Sequence, residues 1–167
     1  MADLPDGEEA PKDGALPNPD VSGGLSAYVH VPFCAVRCGY CDFNTYTNLD
    51  FGPGASTSDF PESLAGEIAL SRSVLRGGEA APLIDTVFFG GGQLGSVLAA
   101  LDAAFGLREG AEATTEANPE SVDRESLFQL ADAGFTRVSF GMQSAVESVL
   151  ATLDRRHTPG QVGRAVG

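Results

Sequence analysis

Tyr28-Val-His-Val-Pro-Phe-Cys34-Ala-Val-Arg-Cys38-Gly-Tyr-Cys41-Asp-Phe43 holds all three cysteines of the 167-residue chain, packed into eight positions. The residues just before it, Leu25 to Val31, form a short run rich in apolar and β-branched side chains, which predicts a strand. Pro32 ends that strand. The thiols therefore fall in the loop at a strand's C-terminal end.

Outward from this stretch the pattern alternates. Residues 44 to 58 hold Asn, Thr, Gly, Pro and Ser and read as a long loop. A helix is expected from near Asp59, with Glu62 placed three residues on for a capping box, an apolar face through Leu64, Ile68 and Leu75, and a stop at Gly77-Gly78. Ile84 to Phe89 reads as a buried second strand, ended by Gly90-Gly91-Gly92. Leu94 to Phe105 reads as a helix and Glu112 to Ala117 as a third strand, broken by Asn118-Pro119. Asp123 to Ala133 is a further helix, with Gly134 at the position of a C-cap glycine. Phe135 to Phe140 gives a fourth strand and Ala145 to Leu153 a fourth helix. Four strand–helix units in succession predict an α/β fold with a parallel sheet and right-handed crossovers. Residues 1 to 24, acidic and carrying Pro5, Pro11, Pro17 and Pro19, read as a disordered tail ahead of a folded part at 25–167.

The balance of 23 acidic against 10 basic residues gives a net charge of −13, which disfavours a phosphate-backbone partner and argues against nucleic-acid binding. No apolar run reaches the roughly 20 residues of a transmembrane helix. The start lacks the basic and apolar regions of a signal peptide, so a cytoplasmic location is expected. An odd number of clustered cysteines is a poor disulfide framework and a better metal or redox site.

Cys34, Cys38 and Cys41 are spaced CxxxCxxC. Three thiolates on one loop can grip three corners of a [4Fe–4S] cubane, and no fourth cysteine exists to close the last corner. One iron would then stay open to an exogenous ligand. Zinc is the alternative, although its structural sites use four ligands and paired CxxC units. His30 and His157 are the nearest further donors, and His157 reads as a surface or capping residue. Gly90 to Gly92 as a plain turn, Glu116 and Gln143 as solvated polar residues, and Arg155-Arg156 as a charge pair at a helix C-terminus are the bland readings of the remaining motifs.

Residues 28 to 43 resemble the opening of radical S-adenosylmethionine (SAM) proteins, and in particular the oxygen-independent coproporphyrinogen III oxidase-like family with its haem-chaperone branch. Val87-Phe-Phe-Gly-Gly-Gly92, Thr115-Glu-Ala-Asn-Pro119, Arg137-Val-Ser-Phe-Gly-Met-Gln-Ser144 and Leu153-Asp-Arg-Arg-His157 resemble later motifs of the same family in order and spacing. The resemblance covers about residues 25 to 167. It implies that Cys34, Cys38 and Cys41 ligate a [4Fe–4S] cluster and that SAM chelates the open iron. It implies that Gly91 and Gly92 let the methionyl part of SAM approach the backbone, and that Tyr28, Glu116, Gln143 and Arg155 line the SAM pocket, with Phe43 near the adenine. The family's fold is a (β/α) partial barrel of six units followed by a further domain. Haem or a porphyrin, and a protein that receives haem, are the partners implied.

Phe43 stands where the true oxidases usually show another cysteine, which favours the haem-chaperone branch over oxidase activity. Two departures set further expectations. Gln93-Leu94 follows Gly92 at once, where the family has Thr-Pro and a longer loop. The chain also ends after four units, so it is expected to be the N-terminal portion of the core, marginally stable and inactive alone, with a non-functional remnant as the alternative.

Overall fold

The computed structural model describes residues 21–52, 55–75, 82–90 and 95–167. The elements are β1 (Leu25–His30), α1 (Phe60–Leu75), β2 (Ile84–Gly90), α2 (Gly95–Phe105), β3 (Leu107–Ala117), α3 (Arg124–Asp132), β4 (Arg137–Phe140), α4 (Glu147–Thr152) and α5 (Pro159–Val166). The strands form one parallel sheet in the order β1-β2-β3-β4. The α/β reading is borne out. Most of the acidic tail, Gly77-Gly78 and the whole of residues 91–94 (Gly91, Gly92 and the shortened loop among them) lie outside the described residues.

Strand periodicity divides the sheet into two faces. Val29, Val87, Phe89 and Ala113 point to one side and, with Ile84, pack against Val97, Leu98, Leu101 and Phe105 of α2 and Leu130 of α3. Phe89 meets Phe135 edge to face at 5.1 Å between ring centroids. Burying a side chain of this size stabilises by about 1.5–3 kcal/mol. Tyr28, His30, Phe88, Gly90, Thr114, Glu116 and Ser139 alternate to the opposite face, kept in line by the parallel register Tyr28↔Phe88↔Thr114 and Glu116↔Ser139. That face and the strand ends above it carry the candidate site.

Local signals explain most boundaries. Asp123 caps α3 reciprocally: its Oδ1 accepts from the Ser126 N–H at 2.8 Å, and Ser126 Oγ accepts from the Asp123 N–H at 2.9 Å. At the other end Ala133 is the cap and Gly134, at φ +96°, follows it. The Phe135 N–H reaches the Leu130 carbonyl and the Gly134 N–H the Ala131 carbonyl, the paired bonds of a Schellman turn.

Three features differ from the sequence expectation. β3 begins five residues earlier than Glu112, because the register shift between Ile84 and Thr86 lets Leu107 pair with Ile84 while the intervening residues bulge out. The fourth strand starts at Arg137 instead of Phe135, since Phe135 is spent on the turn that ends α3. After α4 the chain makes a further helix, α5, which the sequence reading missed. Its signal was Thr158-Pro159-Gly-Gln161: proline suits a first helical turn, and Gln161 Oε1 accepts from the Thr158 N–H at 2.6 Å.

Candidate functional site

The cysteine loop is tied down at its base before it spreads over the strand ends. The Val31 N–H bonds the Gly90 carbonyl at 2.8 Å, continuing the β1–β2 ladder by one residue. Phe33 and Tyr46 form an isolated parallel bridge, with Tyr46 N–H to Pro32 carbonyl at 2.7 Å and Cys34 N–H to Tyr46 carbonyl at 2.9 Å. His30 Nε2 lies 2.9 Å from the Asn44 carbonyl. Phe33 packs edge to face on Phe60 at the start of α1. The start of the long segment, at Asn44 and Tyr46, is thus braced by backbone contacts to the cysteine loop.

Cys34, Cys38 and Cys41 are free thiols, each half-buried on this loop. The Cys41 N–H bonds the Cys38 carbonyl at 3.1 Å, so these two share one turn. Burial, and after it the negative charge of Cys41 and Cys38, raises the Cys34 thiol above its ordinary pKa. The three sulfurs therefore feel one another. Arg155 supplies a compensating charge: its Nη1 donates to Cys38 Sγ at 3.2 Å. The Tyr40 phenol is raised by burial first and drawn down in part by the Arg155 charge, which places it in the same electrostatic neighbourhood. Among the described residues no three His, Cys, Asp or Glu side chains converge on one metal ion. Three half-buried thiols on one loop beside an arginine are a donor set that suits three corners of a cubane.

Arg155 does more than touch the cysteine. Its Nη2 donates to Asn118 Oδ1 at 2.8 Å and to the Gly141 carbonyl at 2.6 Å. Asn118 directly follows β3 and Gly141 directly follows β4. One guanidinium thus joins the cysteine loop to two strand ends, which is the role planar arginine forks suit. A methyl placed on Gly141 would meet Arg155, Gln143 and Asn118 side-chain atoms at 3.0, 3.4 and 3.6 Å, so these three polar groups converge over that glycine. The loop approaches closely from the other side as well: a side chain at Gly39 would collide with the Asp154 carboxylate. Arg155 is accordingly not an end-of-helix charge partner, because it lies beyond the Leu153 cap and faces inward.

The remaining candidates occupy the open face. Tyr28, 57% exposed, stacks on Phe88 and His30, and its hydroxyl lies over Gly90 and 3.3 Å from His30 Nδ1. Burial first, and the Glu116 carboxylate second, raise the Tyr28 phenol above its ordinary pKa, which places Glu116 within electrostatic reach. Phe43 is 64% exposed, with its ring 6.0 Å from His30. Gln143 is exposed just past β4. The candidates therefore form a Tyr28–His30–Phe43 group over β1, Glu116 on the same face of β3, and an Arg155–Gln143–Asn118–Cys38 group over β3 and β4. The sequence names His30 only as a spare donor for zinc, and Asn118 and Tyr40 only within longer motifs; it assigns none of the three to the SAM pocket. The signal for Asn118 was its place one residue beyond a parallel strand, where such sheets hold ligands; the sequence reading has it as a strand breaker and as part of the Thr115–Pro119 motif, with no role of its own.

His157 differs from its sequence reading most. Its side chain has no exposed surface, Nε2 lies 3.0 Å from the Met142 carbonyl, and Nδ1 lies 3.7 Å from Glu120 Oε2. It is a buried residue because the chain after α4 turns inward at Asp154.

The Radical SAM superfamily model matches residues 28–166. A protein named heme chaperone HemW from Mycobacterium tuberculosis is 44% identical over 160 residues, which cover 91% of this chain and 39% of that one. The Escherichia coli protein of the same name is 32% identical over 149 residues, covering 84% and 38%. The mouse mitochondrial radical S-adenosyl methionine domain-containing protein 1 is 32% identical over 162 residues, covering 92% and 35%. The chain thus spans about two-fifths of the length of these relatives. Among solved structures, the coproporphyrinogen III oxidase HemN from Escherichia coli superposes with a TM-score of 0.62 at 23% identity, over 82% of this chain and 32% of that one. That likeness makes the four-stranded sheet part of a radical SAM-type barrel. No helix among the described residues is long and apolar enough to cross a membrane. With the motif, the sheet and the family match in agreement, the chain belongs to the radical SAM superfamily.

Proposed function

We propose that this chain is part of a haem-chaperone-type radical SAM protein in which residues 25–167 belong to the core domain and hold a [4Fe–4S] cluster and SAM. Cys34, Cys38 and Cys41 would ligate three irons and leave the fourth for the amino and carboxylate groups of SAM. When bound, the cluster supplies an electron and SAM the carbon–sulfur bond that it cleaves. Haem as cargo, and a protein that receives it, follow from the name carried by the 44% relative. Three free thiols suit a reducing compartment such as the cytoplasm.

The observation that carries this reading is Arg155 bonded at once to Cys38 Sγ, Asn118 and the Gly141 carbonyl. It brings the thiolate loop over the C-terminal ends of β3 and β4, where parallel sheets place ligands. Around that point Glu116 offers a carboxylate to an ammonium group, and Gln143 an amide to a polar edge. Tyr28 and Phe43 offer rings to an aromatic base. Gly91 and Gly92 would give the methionyl part its close approach.

The test is anaerobic iron–sulfide reconstitution followed by electron paramagnetic resonance of the reduced protein, with and without SAM. A cluster signal that shifts on adding SAM is expected. A cluster indifferent to SAM would refute the pocket, and zinc retained without iron or sulfide would refute the cluster itself.

A further inference from the structure

We propose that His157 is a positioning residue: its buried imidazole pins the Met142 carbonyl and so holds Gln143 in the strained backbone turn from which its amide faces the site. This inference rests on the reading of Gln143 as a SAM-pocket residue.

Gln143 has φ +58°, and with Asp154 at φ +53° it is one of two non-glycine residues at positive φ among those described. Such a conformation is disfavoured for a side-chain-bearing residue. The turn around it is tight. The Ser144 N–H bonds the Met142 carbonyl at 2.7 Å, and the Met142 N–H bonds the Phe140 carbonyl at 2.8 Å. A three-residue turn whose central residue has positive φ is the rare, strained form. Strain of this kind persists only where the surroundings over-determine it.

His157 is what over-determines it. The Met142 carbonyl closes the strained turn with one lone pair and receives His157 Nε2 at 3.0 Å with the other. A carbonyl only accepts, so Nε2 carries the proton. The side chain is wholly buried, so water does not substitute for it. The Nδ1 side faces Glu120 at 3.7 Å and has no hydrogen-bond partner among the described residues.

The placement repeats a pattern. Arg155 joins Asn118 after β3 to the Gly141 carbonyl after β4. Two residues later, His157 sits between Glu120 and the Met142 carbonyl on the same two loops. Glu116 lies in β3 two residues before Asn118, and Gln143 follows Met142 directly on the loop after β4. Arg155 and His157 are successive rungs that set the distance between them. A residue that merely filled space would need the imidazole's bulk and not its donor.

The experiment compares wild type with His157→Phe, which keeps a ring and loses the donor, and His157→Gln, which can donate to the same carbonyl. It uses the cluster-loaded full-length protein. Amide hydrogen exchange at Ser144 is measured without SAM, SAM affinity by calorimetry, and iron per chain by assay. His157→Phe is expected to speed exchange at Ser144 and to weaken SAM binding, each about tenfold, with iron content unchanged, and His157→Gln is expected to restore most of both. Unchanged exchange at Ser144 in His157→Phe overturns the proposal. Should wild type bind no SAM, the functional reading fails, and the exchange measurement still decides the role of His157. Should His157→Phe fail to fold, nitrogen shifts of the wild-type ring decide: an unprotonated Nε2 overturns the proposal and a protonated, hydrogen-bonded Nε2 supports it.

Discussion

The two flanks of the sheet are held together differently. At β3 and β4 the strand ends are stitched by polar groups from one short segment, with Arg155 on Asn118, Gly141 and Cys38, and His157 on Met142. At β1 the helix α1 stands away from the strand. A groove of about 480 Å³ opens between them, lined on the core side by Leu25, Ala27, Val29, Leu64 and Ile68. One side of the site is therefore positioned by directional bonds between loops far apart in sequence, and the other by stacked rings and the loop's own closures. Directional bonds fix geometry to a few tenths of an ångström, whereas ring stacking against a groove tolerates sliding.

The largest break in this contrast should come from the filled side of the core. Phe89→Ala, which removes a wholly buried ring packed on Phe135, is expected to cost about 3–5 kcal/mol in chemical denaturation, while Leu64→Ala beside the groove costs about 1 kcal/mol. Equal losses would mean that the groove is closed in solution. Next comes Arg155→Ala, which strands the Asn118 amide oxygen and the Gly141 carbonyl. A loss of about 1–3 kcal/mol is expected, together with faster amide exchange around Gly141 and no change at the Phe33–Tyr46 bridge. Faster exchange at both places would show the flanks to be one cooperative unit.

The smallest effect is pH-dependent. Asp85, bonded by Arg108 and by the Leu25 N–H, Glu112, bonded by Thr114 and Arg137, and Asp123, bonded by Ser126, all sit below the usual carboxylate range when folded. A carboxyl depressed on folding contributes stability above its unfolded pKa of about 4, and that contribution is lost as the pH falls through the depressed value. These groups are exposed, so a shallow acid limb is expected. Asp85→Asn should make it shallower still, and an acid limb unchanged in that variant would remove Asp85 from the account.

Much of this molecule was legible in one dimension. The buried apolar run Ile84–Phe89, the helix start at Asp123 and the stop at Gly134 are local effects, and local effects can be read from neighbours in the chain. The CxxxCxxC spacing is local in the same sense, as is the family resemblance of five short motifs in order. The length of β3 was not legible, because pairing of Leu107 with Ile84 across a bulge depends on the neighbouring strand. Nor was the burial of His157: a histidine after two arginines reads as surface until the chain is seen to turn inward at Asp154. Arg155 could be named as a site residue from its motif, but its bonds to Cys38, Asn118 and Gly141 join positions 117, 37 and 14 residues away. Short-range steric and capping preferences thus set the order and type of the elements. Which side chains meet above the strand ends was decided only by tertiary packing, because hydrogen bonds between distant loops require the sheet to have placed those loops first.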